Sequence, residues 1–228
     1  MKMIDATDRV LVVAPHADDE LIGMGGSLLK WKSIGAEIHI VLVACSDVKM
    51  AHAGSIVSGE TRVSEFKEIC GHISTIEPKI LNFKDSFLDT YPISELITIL
   101  DNIIVDFMPT VVAYPEPSYH QDHKIVNSAC TASLRPTKKC RPELIVTYEI
   151  PTSTWVGSAS PFTPNYFVDI SNHIEEKIDL FERIYKSQFT VVDRQKLASK
   201  GISDHASYRG MECGYEYAES YQILQYRG

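Results

Sequence analysis

The run VLVVAPHADDELIGMGG, residues 10–26, ends a string of buried-type apolar side chains in His16, Asp18, Asp19 and Glu20. Consecutive carboxylates repel one another, and a positive charge close by favours the charged form of each. Far downstream, YPEPSYHQDHKIV supplies His120, Asp122 and His123. The two histidines are three residues apart, and Ile125, Val126, Ala129 and Cys130 mark one face of a helix starting there, so both imidazoles can project from its first turn into one space. Each cluster alone has a plain structural explanation: Asp caps helices and acids favour the first turn, and H-x-x-H by itself carries little information. Taken together, imidazole and carboxylate from two loops make the donor set preferred by a catalytic Zn²⁺ site with an open position.

Such a site needs a scaffold that brings distant loops to one place. Apolar runs rich in Val, Ile and Leu (RVLVVA, EIHIVLVA, KILNF, TVVAY, ELIVTYEI) alternate with segments of helical period, among them Leu21, Met24, Leu28 and Trp31, then ETRVSEFKEIC and SELITILDNIIVDF. This alternation predicts an α/β fold, an open and mostly parallel sheet with helices on both faces. Right-handed crossovers place every strand-to-helix loop along one sheet edge, where ligands of open α/β folds bind. Both motifs follow strands and fall on that edge. So do two long polar loops, residues 46–59 and 151–165, for which a substrate-covering role is expected. The tail through YEYAESYQIL reads as mostly helical after one short strand, YFVDI, and no linker divides residues 1–228 into separate domains. Gly23, Gly25 and Gly26 follow the acidic cluster and lie inside a helix, which points to close helix-to-sheet packing and away from a dinucleotide turn.

Composition narrows the function classes. Lys and Arg total 22 against 30 Asp and Glu, a net charge of −8, which argues against nucleic acid as a partner. The start of the chain has no apolar segment resembling a secretion signal, and no later run is long enough to cross a bilayer, so a cytoplasmic location is expected. Five scattered cysteines, none in a C-x-x-C pair, suggest neither a disulfide framework nor a thiolate zinc site. A homo-oligomer is left open.

PHADDE after the first strand and HQDH after the fourth resemble the paired signature of the PIG-L / LmbE family of zinc-dependent N-acetyl-sugar deacetylases, whose usual forms are A-H-P-D-D-E and H-P-D-H. GETRVSEF and RGMECGYEYAESYQIL resemble two further family segments, so the likeness runs along nearly the whole chain. The resemblance implies a Rossmann-like sheet, His16, Asp19 and His123 as metal ligands, and Asp18 as general base toward a water that zinc acidifies. It implies that His120 stabilises the oxyanion and protonates the leaving amine, with Asp122 orienting or charge-stabilising His120. Arg62 matches a substrate-contacting arginine; its alternative is an exposed ion pair with Glu60 or Glu65. Ala17 and Gln121 replace the two motif prolines, and Ser118 stands where some relatives have a tyrosine, with Tyr119 one place off.

The expected activity is zinc-dependent removal of an acetyl group from the nitrogen of an N-acetylglucosamine-type sugar or sugar conjugate, with Fe²⁺ or Co²⁺ as other metals the same donors bind. Two alternatives stand beside it: a metal-dependent amidase acting on a non-sugar amide, and a non-catalytic carbohydrate or nucleotide binder. Trp155 is a candidate for stacking on a sugar face, Lys138 to Arg141 for a phosphate contact, and His39 for a structural place in its strand.

Overall fold

The structure is a computed structural model that describes residues 4–49, 56–136, 140–151, 162–187 and 192–227. Trp155, Lys138 and Lys139 lie outside the described residues. In chain order the elements are β1 (Arg9–Ala14), α1 (Asp19–Ser33), β2 (Glu37–Ala44), the two-residue strands β3 (Val48–Lys49) and β4 (Ile56–Val57), α2 (Gly59–Ile73), β5 (Lys79–Phe83), α3 (Ile93–Phe107), β6 (Val111–Pro115), α4 (Gln121–Ser133), β7 (Leu144–Tyr148), β8 (Tyr166–Asp169), α5 (Ile174–Ile184), α6 (Val192–Cys213) and β9 (Ala218–Tyr226).

Seven strands form one sheet in the order β5-β2-β1-β6-β7-β9-β8. The pairs among β5, β2, β1, β6 and β7 are parallel, and β9 runs antiparallel to both β7 and β8. Successive residues of β1 feed opposite layers, as strand geometry requires. Val10 and Val12 join a core with Leu21, Met24, Phe66 and Phe181, whereas Leu11 and Val13 join one with Leu100, Phe107, Val112 and Val126. Helices therefore cover both faces.

Strand order reverses beside β1: the chain first builds outward through β2 to β5, then returns to place β6 on the other side of β1. The crevice beyond the carboxyl ends of β1 and β6 is the topological switch point. The loops leaving those strands carry the two motifs.

Helix α1 lies close on the sheet. A Cβ at Gly23 would stand 2.4 Å from Tyr148 Cδ2, and one at Gly26 would stand 2.8 Å from Ile170 Cβ, so packing accounts for these glycines. A buried ion pair, Lys177 Nζ to Glu219 Oε1 at 2.6 Å, grips the same helix. Lys177 donates to the Ile22 carbonyl, and Glu219 accepts the Gly26 and Ser27 N–H groups.

The tail departs from the sequence expectation. YEYAESYQIL was expected to be helical, but Ala218–Tyr226 is a nine-residue strand. Gly214, at φ +84°, follows the end of α6, and β9 then pairs with β8 over Ala218–Tyr221 and with β7 over Tyr221–Tyr226. Tertiary pairing overrides local propensity here.

Candidate active site

The chain leaves β1 at Ala14, and α1 begins at Asp19, so Pro15 to Asp18 make the whole turn. Asp18 occupies the N-cap at φ 133° and ψ −28°, and its side chain makes no capping hydrogen bond. A conventional cap lies in the β region with its side-chain oxygen on the N2 or N3 N–H. Helix capping thus leaves the Asp18 carboxylate unexplained. The backbone is held where L-residues are sterically disfavoured, at a cost of about 1–3 kcal/mol.

Asp19 sits at the centre. Its Oδ2 accepts the His16 backbone N–H at 2.9 Å and stands 3.3 Å from both His16 Nδ1 and His123 Nε2. Donors sharing a tetrahedral ion at about 2.0–2.1 Å are themselves about 3.3 Å apart. The Asp19 oxygen is therefore already at ligand spacing from two imidazole nitrogens. One nitrogen each from His16, His120 and His123 also lie within 4.8 Å of one another, a group that could hold a metal ion.

The far nitrogens are held as well. His16 Nε2 donates to Asp122 Oδ2 at 2.9 Å, which turns Nδ1 toward Asp19. His123 Nδ1 lies 3.0 Å from the hydroxyl of buried Ser118, which turns Nε2 the same way. Such contacts fix the ring orientation of metal-binding histidines. Asp122 is completely buried behind the site, and it also accepts N–H groups of Ser86 and Leu88 at 2.7 and 3.2 Å. Its carboxylate thus holds His16, while its link to His120 runs through the backbone: the Asp122 N–H donates to His120 Nδ1 at 3.2 Å. That contact leaves His120 Nε2 as the nitrogen for other partners.

The electrostatics divide the neighbouring carboxylates. Burial opposes ionisation of Asp19, but His123 and His16 outweigh it and hold its pKa well below the ordinary range. Burial, followed by the charges of Asp19 and Glu20, raises Asp18 well above it, against the pull of Arg62 and His16. Burial also lifts Glu20 to about 7, an effect moderated by the Tyr185 hydroxyl. On His16 burial opposes the charge, yet Asp122 and Asp19 raise its pKa to about 10. A proton on His16 thus answers a field that favours positive charge, and the same field suits a divalent cation. Adjacent acids with pKa values pushed apart are the pattern of a divided acid and base.

His16, Asp18, Asp19, Arg62, His120 and His123 line one cavity of ≈ 280 Å³, with Ile22, Val48, Ile150 and Tyr119 on its walls. This is near the low end for small-molecule pockets. Arg62 is buried and donates to Asp85 Oδ1 at 2.7 Å and to the Ser46 carbonyl at 3.3 Å. Its ion pair is with Asp85, whereas proximity in the sequence points to Glu60 or Glu65.

Residues 11–134 match the family model described as PIG-L, GlcNAc-PI de-N-acetylase. The chain belongs to the PIG-L family. It is 29% identical over 230 residues to the diacetylchitobiose deacetylase of Thermococcus kodakarensis, covering 95% of this chain and 83% of that protein. It is 26% identical over 160 residues to the 1D-myo-inositol 2-acetamido-2-deoxy-alpha-D-glucopyranoside deacetylase of Thermomonospora curvata, covering 54% and 52% of the two chains. Among solved structures, the N,N'-diacetylchitobiose deacetylase of Pyrococcus horikoshii superposes with a TM-score of 0.76 at 24% identity, covering 95% of this chain and 84% of that one.

Within this PIG-L chain the two motifs thus meet at one cavity. The sequence assigns no role to four participants: Glu20, Asp85, Ser118 and Tyr185. Glu20 had a local signal, being the last acid of the first cluster. The other three are defined by contacts between separate elements. His39 stays away from the cavity, half-buried with its ring 5.3 Å from that of Phe107, in keeping with a structural role. Among the described residues, no helix is long and apolar enough to cross a membrane.

Proposed function

We propose that this protein is a metal-dependent hydrolase that removes the acetyl group from the nitrogen of an N-acetylglucosamine-type sugar or sugar conjugate, working as one domain in the cytoplasm. The observation that carries the reading is Asp19 Oδ2 at 3.3 Å from both His16 Nδ1 and His123 Nε2, with an uncapped Asp18 carboxylate in the same cavity. We assign Zn²⁺ to that site, because two imidazoles and one carboxylate with an open position suit it; Fe²⁺ and Co²⁺ are the competing ions. When bound, the metal supplies Lewis acidity, polarising the amide carbonyl and acidifying water.

The chain's own residues do the rest. Asp18, which lines the same cavity, takes a proton as water oxygen bonds to the amide carbon. His120 Nε2, directed away from its backbone contact, hydrogen-bonds the developing oxyanion. As the carbon–nitrogen bond breaks, the proton held on Asp18 passes to nitrogen, and acetate and a free amino sugar are released. We assign that proton to Asp18 in place of His120, because a protonated Nδ1 on His120 would lose the Asp122 N–H contact. Arg62 and Asp85 side by side offer both donors and acceptors, which matches sugar hydroxyls.

The test is acetate release from free, oligomeric and conjugated N-acetyl sugars and from acylated amino acids, using protein loaded with one defined metal at a time. Turnover of N-acetyl sugars by the zinc form supports the reading. Turnover confined to acylated amino acids would replace it with a non-sugar amidase, and absence of stoichiometric metal binding would replace it with a binding module.

A further inference from the structure

Of the three adjacent acids, Glu20 is the one that turns away from the cavity. It is fully buried, and its two oxygens are both engaged: Oε1 accepts the Tyr185 hydroxyl, and Oε2 accepts the Asp18 backbone N–H at 3.2 Å. Tyr185 is itself fully buried just past α5, 165 positions from Glu20 and outside the span that matches the family model. On the other side of the same residue, the Asp18 carbonyl accepts the N–H groups of Leu21 and Ile22 at 3.1 and 2.8 Å. Both backbone polar groups of Asp18 are therefore fixed at the one position in the turn whose φ is 133°. A non-glycine residue persists in such a conformation only when its surroundings over-determine it.

We infer that Glu20 and Tyr185 form a positioning clamp that holds the backbone of Asp18 in its disfavoured conformation and so keeps the carboxylate aimed into the cavity. The inference rests on the proposed role of Asp18. Without the clamp, Asp18 relaxes toward ordinary N-cap geometry, where its carboxylate turns to the helix N–H groups and away from the substrate. Neither clamp residue touches substrate or metal. Their effect passes entirely through the orientation of Asp18.

Three variants of the full chain test this: Tyr185→Phe, Glu20→Ala and Glu20→Gln. Tyr185→Phe removes one hydroxyl, and Glu20→Ala removes the acceptor for the Asp18 N–H. For both, kcat on an N-acetyl sugar should fall between about tenfold and a hundredfold, the scale of a misplaced reacting group, with KM and metal content unchanged. Glu20→Gln can still accept the Asp18 N–H and should restore most of the turnover. A crystal structure of Glu20→Ala should show Asp18 away from its present φ, and this readout needs no substrate. If the wild type deacetylates nothing, the functional reading fails while the conformational readout still decides the clamp. Wild-type kcat in folded Tyr185→Phe and Glu20→Ala, a kcat loss that tracks loss of metal, or an unmoved Asp18 φ would each overturn it; if Glu20→Ala does not fold, the kcat and Asp18 φ of Tyr185→Phe decide.

Discussion

Two buried clusters of carboxylates flank α1, and they solve the same electrostatic problem differently. Behind the helix, Glu219 meets Lys177 at 2.6 Å, and Glu149 accepts both Nε and Nη2 of Arg209 at 2.6 and 2.8 Å. Ser220, Tyr221 and backbone N–H groups supply further hydrogen bonds. At the amino end of the helix, the ion pairs of Asp19 among the described residues are with His16 and His123, whose charge depends on a proton. Arg62, the permanent cation there, is engaged by Asp85. Where compensation is built in as Lys and Arg, the cluster is part of the structure, and removing one partner would leave an uncompensated buried charge. Where compensation must come as a proton or an added cation, the cluster is a site.

The sharpest way to break this contrast is to remove the central oxygen. Asp19→Ala should lose stoichiometric metal, and turnover should drop to background, because one carboxylate stands at ligand spacing from both imidazoles. Asp18→Ala should keep its metal and lose about 10²- to 10⁴-fold in kcat, the usual worth of a positioned general base. Metal analysis alongside steady-state kinetics separates the two. Normal turnover by Asp18→Ala would remove that residue from the chemistry, and full metal occupancy in Asp19→Ala would move the site elsewhere.

The same contrast explains which parts of the molecule could be read in the sequence. His16, Asp18 and Asp19 lie within four positions, and His120, Asp122 and His123 within four more, so each half was visible as a local pattern at a strand end. The five parallel strands were equally visible, and for β1, β2, β6 and β7 the reason is that burial on both faces makes near-continuous apolar runs. What supports each half from outside its motif was not visible. Asp85 comes from the turn after β5 to meet Arg62, Ser118 folds back on His123 from within the second loop, and Tyr185 arrives from the end of α5. None has a spacing signal, because a hydroxyl or carboxylate in a loop gives no sign of the partner that the fold will bring to it. The strand β9 was misread for a related reason: its state depends on two strands distant from it in the chain.

The structural cluster should also respond to acid. Burial opposes ionisation of Glu149, but His205, Arg209 and Ser220 outweigh it and bring its pKa from 4.5 down to about 2. A depressed folded pKa stabilises the fold above the unfolded value, and the contribution disappears as pH falls through the folded one. At neutral pH this amounts to roughly 3 kcal/mol. Glu149→Gln should therefore be less stable than the wild type near pH 7 by about that amount, with the gap closing between pH 4.5 and about 2 in denaturant titrations. Metal affinity measured at neutral pH on the folded variant should not change. A gap that stays constant with pH would show that Glu149 contributes through packing alone.

The smallest effect should come from the neutral contact that orients a proposed metal ligand. Asp122 and Ser118 do comparable jobs, one on His16 and one on His123, but Asp122 brings a charge and Ser118 only a hydroxyl. Loss of such a supporting contact weakens metal binding by about 10- to 100-fold. Ser118→Ala belongs at the lower end, because the ring of His123 is still confined by its place in the first turn of α4 and by Asp19 on its other nitrogen. The variant should bind zinc about tenfold more weakly in a competition titration with a chelator, while kcat measured at saturating metal stays near the wild-type value. Equal affinity would mean that backbone placement alone fixes His123. A loss of kcat at full occupancy would mean that the hydroxyl reaches the reacting atoms, and the division between residues that hold the ion and residues that move protons would have to be redrawn at that position.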